Sequence, residues 1–163
     1  MKSLNDLIYP YKALLENEDI QKAYKGLLKY LMSVKSHMQK NYSDRFSFGN
    51  ISPGYLDFSY FPFSDKYLQD RKLRFGIVLN HKDLRFELWL MGRDAIVKDT
   101  YWDILKATKW NERIESIPQY AVMEIILVEK PDFKEPKILT RLIERNVIQA
   151  TNEVIEYFKD NNL

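Results

Sequence analysis

The chain has 163 residues, 45% of them hydrophobic and 14% aromatic, and 25 Lys+Arg against 23 Asp+Glu leave a net charge of only +2. A domain of this length buries roughly 70% of the surface its unfolded chain exposes, so it can fold without metal or disulfide, and the apolar content excludes a disordered tail. Cysteine is absent, which excludes a disulfide scaffold, a thiolate zinc site, an iron–sulfur cluster and a cysteine nucleophile, and fits a reducing compartment.

The opening Met1-Lys2-Ser3-Leu4-Asn5-Asp6 carries no apolar leader, and no stretch approaches the roughly 18 apolar residues of a bilayer span, so a soluble, cytoplasmic protein without a membrane partner is expected. Pro10 is expected to open a short first helix ending near Glu16. From Asp19 to Lys40, Ile20, Ala23, Tyr24, Leu27, Leu28, Leu31, Val34 and Met38 fall on one helical face, with Asn17 or Asp19 as cap. Residues 41–54 are dense in turn formers and predict a long ordered loop anchored by Phe46 and Phe48.

The period then changes to two. Leu56, Phe58 and Tyr60 alternate with Tyr55, Asp57 and Ser59; Leu73, Phe75, Ile77 and Leu79 with Arg74, Gly76 and Val78; Leu84, Phe86, Leu88 and Leu90 with Arg85, Glu87, Trp89 and Met91. A turn at Asn80-His81-Lys82-Asp83 would set Leu79 opposite Leu84, Ile77 opposite Phe86, Phe75 opposite Leu88 and Leu73 opposite Leu90. After Gly92, Asp94 caps a helix carrying Val97, Tyr101, Ile104, Leu105 and Thr108 and ending near Trp110. The apolar run Ala121–Glu129, interrupted by Glu124, predicts a fourth strand in an interior or covered position. Pro136 starts a final helix with the stripe Leu139, Leu142, Ile143, Val147, Ala150, Val154 and Phe158. The whole reads as one α+β domain spanning residues 1–163: a mostly antiparallel four-stranded sheet with packed helices, in the order α-α-β-β-β-α-β-α.

Familiar catalytic patterns are missing. The two histidines, His37 and His81, have neither metal-ligand spacing nor an evident nucleophile as partner, and read as a solvated or capping residue and a turn residue. The five glycines form no dinucleotide or phosphate loop: Gly49 and Gly54 have the first spacing of one, but Tyr55-Leu56 stands where Lys and Ser/Thr are required. Pro131-Asp132 lacks the Glu-x-Lys of a magnesium-nuclease site, and Trp89 stands where Asp57 with Glu87 would need that lysine. No cofactor and no metal site is expected.

Two surfaces remain. In the derived register Val78 faces Arg85, Gly76 faces Glu87 and Arg74 faces Trp89, so two arginines flank one carboxylate around a residue without a side chain, with Asp57 from the preceding strand and Glu124 from the fourth able to join. Asp57, Arg74, Arg85, Glu87 and Trp89 would then bind a small anionic or polar ligand, Arg74 held over the indole. The simpler account is an ordinary cross-strand charge network with Trp89 packed under a helix, and it carries the greater weight because structural ion pairs outnumber functional ones. The second surface is the lysine face of the long helix, with Lys22, Lys25 and Lys29, which would meet a phosphate backbone. With a net charge of +2 and no arginine in that stretch, a solvated face accounts for it more simply.

The strings Ala23-Tyr24-Lys25-Gly26-Leu27, Gly54-Tyr55-Leu56-Asp57-Phe58-Ser59-Tyr60-Phe61 and Leu84-Arg85-Phe86-Glu87-Leu88-Trp89-Leu90 resemble a family of short stand-alone bacterial proteins known only as a domain of unknown function. The resemblance covers about Ala23 to Trp110, implies a bacterial cytosolic protein, and brings no activity or catalytic residue with it. The leading expectation is a non-enzymatic binding or interaction module, its partner a protein or a second copy of the chain. One alternative is an enzyme acting on a phosphorylated or nucleic-acid substrate through Asp57, Glu87, Arg74 and Arg85. The other is a nucleic-acid binder using Lys22, Lys25 and Lys29.

Overall fold

Periodicity becomes structure most directly in the two long helices. The computed structural model describes residues 1–163. In it the 25-residue α2 (Glu18–Tyr42) is capped by Asn17, whose side chain accepts from the Asp19 amide, and buries Leu31, Val34 and Met38. The 25-residue α5 (Pro136–Asp160), with Pro136 in its first turn, buries Leu139, Ile143, Val147, Val154 and Phe158. Polar contacts pin the two together: the Tyr30 hydroxyl lies 3.0 Å from Thr140 Oγ1, His37 Nε2 lies 2.7 Å from Glu144, and Tyr42 donates to Glu144 at 3.0 Å. His37 is therefore an interhelical partner, not the solvated or capping residue expected.

The first helix, α1 (Leu4–Leu15), starts six residues before Pro10, the residue expected to open it: Ser3 and Asp6 form a capping box, and Pro10 lies inside the helix. None of its residues is buried, and Leu4, Leu7, Ile8 and Tyr11 are exposed.

The sheet has five strands rather than the expected four, all antiparallel and in sequence order: β1 (Ser47–Phe48), β2 (Phe58–Ser64), β3 (Leu73–Asn80), β4 (Arg85–Gly92) and β5 (Met123–Val128). The four expected strands are β2 to β5 and the predicted element order stands. The additions are β1, paired to β2 inside the loop that Phe46 and Phe48 anchor, and a single-turn α3 (Lys66–Asp70) capped by Asp65. α4 (Ala95–Leu105) has the predicted Asp94 cap. β5 is an edge strand, not an interior one. Its apolar run is explained by α5, which lies on one face of it and whose Asn146 donates to the Leu127 carbonyl at 2.7 Å.

Two registers differ from expectation. β2 begins at Phe58 and runs to Ser64, so Phe61 and Phe63 join the main core, while Phe58 and Tyr60 lie on the other face. In the hairpin, Asn80 is the last residue of β3, not the first of the turn. Its side chain accepts from the Asp83 amide at 3.1 Å and donates to the Asp83 carboxylate at 3.0 Å, and Leu84 closes the loop with φ +49°. The loop is thus 81–84, and the ladder slides by two: Leu79 faces Phe86, Ile77 faces Leu88 and Phe75 faces Leu90. A slide of two keeps every residue on its face but changes its partner. Val78 faces Glu87, Gly76 faces Trp89 and Arg74 faces Met91, in place of the expected pairs.

The main cluster of 25 buried residues draws on α2, α3, α4, α5 and one face of the sheet. Each buried Leu, Ile or Phe contributes about 1.5–3 kcal/mol by leaving water.

Leu84 holds a left-handed conformation that costs a branched or bulky L-residue about 1–2 kcal/mol, and it is 45% exposed, so little packing offsets that cost. Leu84→Asn is expected to raise unfolding stability by about 0.5–1 kcal/mol in urea and Leu84→Val to lower it by about 1 kcal/mol. Equal midpoints for the two variants would contradict this account of the turn.

Candidate functional site

The helices that contribute to the core, α2 to α5, all pack on the same side of the sheet. No helix contributes to the second, smaller cluster, which consists of Val78, Trp89, Met91 and Ala121 with Phe58 and Tyr60 packed against it. The helix over Trp89 that the simpler sequence account required is therefore absent; Trp89 is only 3% exposed because side chains cover it. Phe58 meets it edge-on at 4.8 Å between ring centroids, and Tyr120 lies near-parallel to it, 14° apart in plane at 6.4 Å. Above these rings a cleft of about 320 Å³ opens, lined by Tyr55, Phe58, Tyr60, Arg74, Met91 and Tyr120 among others. Tyr55 at the rim is 95% exposed and Tyr120 51%.

Beside the cleft lies a buried polar network. Glu87 is 1% exposed, yet its carboxylate is fully engaged: Oε1 accepts from Arg85 Nε at 2.6 Å and from Asn80 Nδ2 at 3.0 Å, and Oε2 accepts from the Trp89 indole N–H at 2.6 Å. Arg85 continues outward to Asp83 at 3.6 Å and Glu129 at 3.5 Å. The hydrogen bond to Glu87 holds the Arg85 guanidinium above its ordinary pKa. Crowding by neighbours, and then the Glu87 charge, push the Glu124 carboxyl up. Glu87 therefore acts by fixing the Trp89 indole in place, and with three donors on two oxygens it has little left to offer a substrate proton or a metal.

The rim of the cleft is stapled to the β3–β4 turn. The amides of Tyr55 and Phe58 both donate to Asp57 Oδ1, at 2.8 and 2.7 Å, and these bonds hold the Asp57 carboxyl below its usual range. Gly54 has φ +69°, and a Cβ there would stand 2.2 Å from the Phe58 carbonyl oxygen, so only glycine fits. The His81 amide donates to the Asp57 carbonyl at 2.9 Å. Its Nε2 lies 2.7 Å from Ser59 Oγ, which in turn donates to the Pro53 carbonyl at 2.6 Å, while Tyr24 from α2 donates to the same carbonyl at 2.8 Å. A carbonyl cannot donate, so the Ser59 proton goes to Pro53 and His81 must supply its Nε2–H. A serine, a histidine and an aspartate thus come together without forming a nucleophile and its base. Ser59 is fully buried, and the imidazole donates to it instead of accepting its proton. Burial lowers the His81 pKa, with Asp57 opposing weakly.

Of the residues the sequence nominated, Asp57, Arg74 and Trp89 line the cleft, while Arg85 and Glu87 form the network beside it. Arg74 does not pair with Trp89 as expected; it stands opposite Met91, is exposed, and enters none of the molecule's ion pairs. Lys22 is paired to Glu18 at 3.2 Å and Asp19 at 3.8 Å, one turn back, whereas Lys25 and Lys29 are exposed. No group of three or more His, Asp or Glu side chains is placed to hold a metal, and no helix is long and apolar enough to cross a membrane. Tyr60, Met91 and Tyr120 were missed as cleft residues. Phe58 and Tyr60 carried a signal, since Phe58-Ser59-Tyr60-Phe61-Pro62-Phe63 places aromatics on both parities and a one-sided strand does not need them.

Residues 4–158 match the family described as Domain of unknown function (DUF7000). No curated protein and no solved structure matches the chain.

Two variants test this geometry. Glu87→Ala strands the buried Trp89 indole N–H and takes an acceptor from Asn80 and Arg85, which keep Asp83 and Glu129, and is expected to cost about 3 kcal/mol of stability; a loss below about 1 kcal/mol would show that the network carries little. For His81, whose folded pKa lies below its ordinary 6.5, the unfolded chain takes up the proton first, so stability is full above about pH 6.5 and falls as pH drops toward the folded pKa. The wild-type minus His81→Gln difference in urea midpoint should be constant above pH 7 and shrink below 6.5; a difference that grows on acidification would reverse the assignment.

Proposed function

We propose that this chain, which belongs to the DUF7000 family, is a binding module whose working surface is the helix-free face of its sheet, centred on the cleft between Tyr55, Arg74 and Tyr120. The observation that carries the reading is the one-sided packing of the helices. A second sheet face covered by side chains rather than by a helix, with a cleft that presents aromatic rings and an unpaired guanidinium to solvent, has no role in holding the main core.

The competing readings draw less support from the same residues. For an enzyme acting through Asp57 and Glu87, the first carboxylate is tied to two backbone amides and the second to three side-chain donors. For a nucleic-acid binder, the lysine face loses Lys22 to local ion pairs.

Tyr120→Ala separates the readings, because that half-exposed ring touches the cleft aromatics and lies outside the main core. Stability is expected to change by no more than about 1 kcal/mol. In a screen of small aromatic fragments followed by amide and indole NMR shifts, the wild-type responses should cluster at Phe58, Tyr60, Trp89 and Met91 and weaken at least fivefold in the variant. Responses confined to α2, or none at any of these positions, would remove the proposal.

A further inference from the structure

The cleft has three properties beyond its being open, and together they define a ligand chemistry. First, it is small. At about 320 Å³ it lies at the low end of the roughly 300–1,000 Å³ of small-molecule sites, and it is bounded by the stapled 53–58 rim, so it suits a compact molecule and not an extended polymer. Second, its accessible walls are flat. Phe58 and Tyr120, 6.2 Å apart between centroids and 72° in plane, meet above an indole whose orientation is locked by the 2.6 Å bond to Glu87, and Tyr55 and Tyr60 flank them. A rigid aromatic floor favours a planar ring, because stacking loses little conformational entropy on either side.

Third, its free polar groups include donors that suit an oxyanion. Arg74 is the only cation lining the cleft, and it is in no ion pair. The hydroxyls of Tyr24, Tyr30, Tyr42 and Tyr67 are each used within the fold, whereas those of Tyr55, Tyr60 and Tyr120 make no hydrogen bond inside the chain. The one carboxylate of the lining, Asp57, accepts two amide bonds on Oδ1 and forms no ion pair with Arg74. A guanidinium fork and unused tyrosine hydroxyls lining one cleft match a carboxylate or a phosphoryl group. Resting on the binding reading above, we infer that the cleft takes a small flat aromatic molecule bearing a single oxyanion, its ring on Phe58 and Tyr120 and its anionic group on Arg74.

The test uses the full chain labelled with ¹⁵N and follows the Trp89 indole and Gly92 amide resonances, with the indoles of Trp102 and Trp110 as controls outside the cleft. Three probes are titrated separately: 2-naphthoate, neutral 2-naphthamide, and the non-planar anion cyclohexanecarboxylate. The expected result is saturable movement of the cleft resonances with 2-naphthoate at least tenfold tighter than with either other probe. Arg74→Gln should bring 2-naphthoate down to the level of 2-naphthamide, and Arg74→Lys should restore part of the gap. If the three probes move the cleft resonances alike, or the preference survives in Arg74→Gln, the ligand class is wrong while the cleft remains a binding surface. If none of the probes moves those resonances, both the ligand class and the binding reading fall.

Discussion

A sheet of five strands has two faces, and this one spends its helices on a single side. With α2, α4 and α5 on the side of Phe61, Phe63, Phe75, Ile77, Leu88 and Leu90, no helix packs on the opposite face, and the strands there are shielded from water by their own side chains and by Tyr120 and Ala121. The molecule does this in two ways. On β4 beside the 81–84 turn a carboxylate network of Asn80, Arg85 and Glu87 closes over the ladder; alongside it, Phe58, Tyr60 and Trp89 do so with aromatic rings. Everything distinctive about the chain's surface follows from that division.

The two halves are joined through Trp89. A buried carboxylate is unfavourable unless its charge and lone pairs are satisfied, and Glu87 meets that condition with one guanidinium, one amide and one indole. Replacing such a network with apolar residues is often neutral for stability, so its presence is better explained by specificity: the indole N–H has one place to go, and the ring plane that Phe58 and Tyr120 pack against is fixed accordingly. The rim is fixed just as firmly, by Gly54, by the Asp57 turn and by the His81–Ser59–Pro53–Tyr24 chain that reaches from the hairpin to α2. A cleft held on its floor and along its rim is organised before anything enters it, which lowers the entropy lost on binding.

The same geometry shows how a catalytic constellation can be mimicked by structural needs. Serine, histidine and aspartate meet at the rim, but the count of protons sends the hydroxyl hydrogen to a backbone carbonyl, and no solvent reaches the serine. Proximity of residue types is not sufficient; the direction of each hydrogen bond decides what they can do.

Several of these features were legible in the sequence. Three-and-four spacing located α2 and α5, and Asn17, Asp94 and Pro136 fixed their starts or that of α4, because capping and helical periodicity are local properties of the chain. Two-residue alternation assigned Ile77, Leu79, Leu88 and Leu90 to one face and Arg74, Glu87 and Trp89 to the other, and a register slide of two left that assignment intact. The strand pairings themselves were another matter. The slide came from an Asn80–Asp83 side-chain bond and a left-handed Leu84, and alternation cannot distinguish registers that differ by two. Nor could it show that α2 to α5 would all choose the same face. An apolar stripe specifies that a helix must be buried, not which side of a sheet will bury it, and that choice rests on contacts such as Tyr30 with Thr140 and His37 with Glu144, 107 or more residues apart in sequence. Local periods are written residue by residue, whereas the open face, and with it the cleft, exists only once distant segments have divided the two sides of the sheet between them.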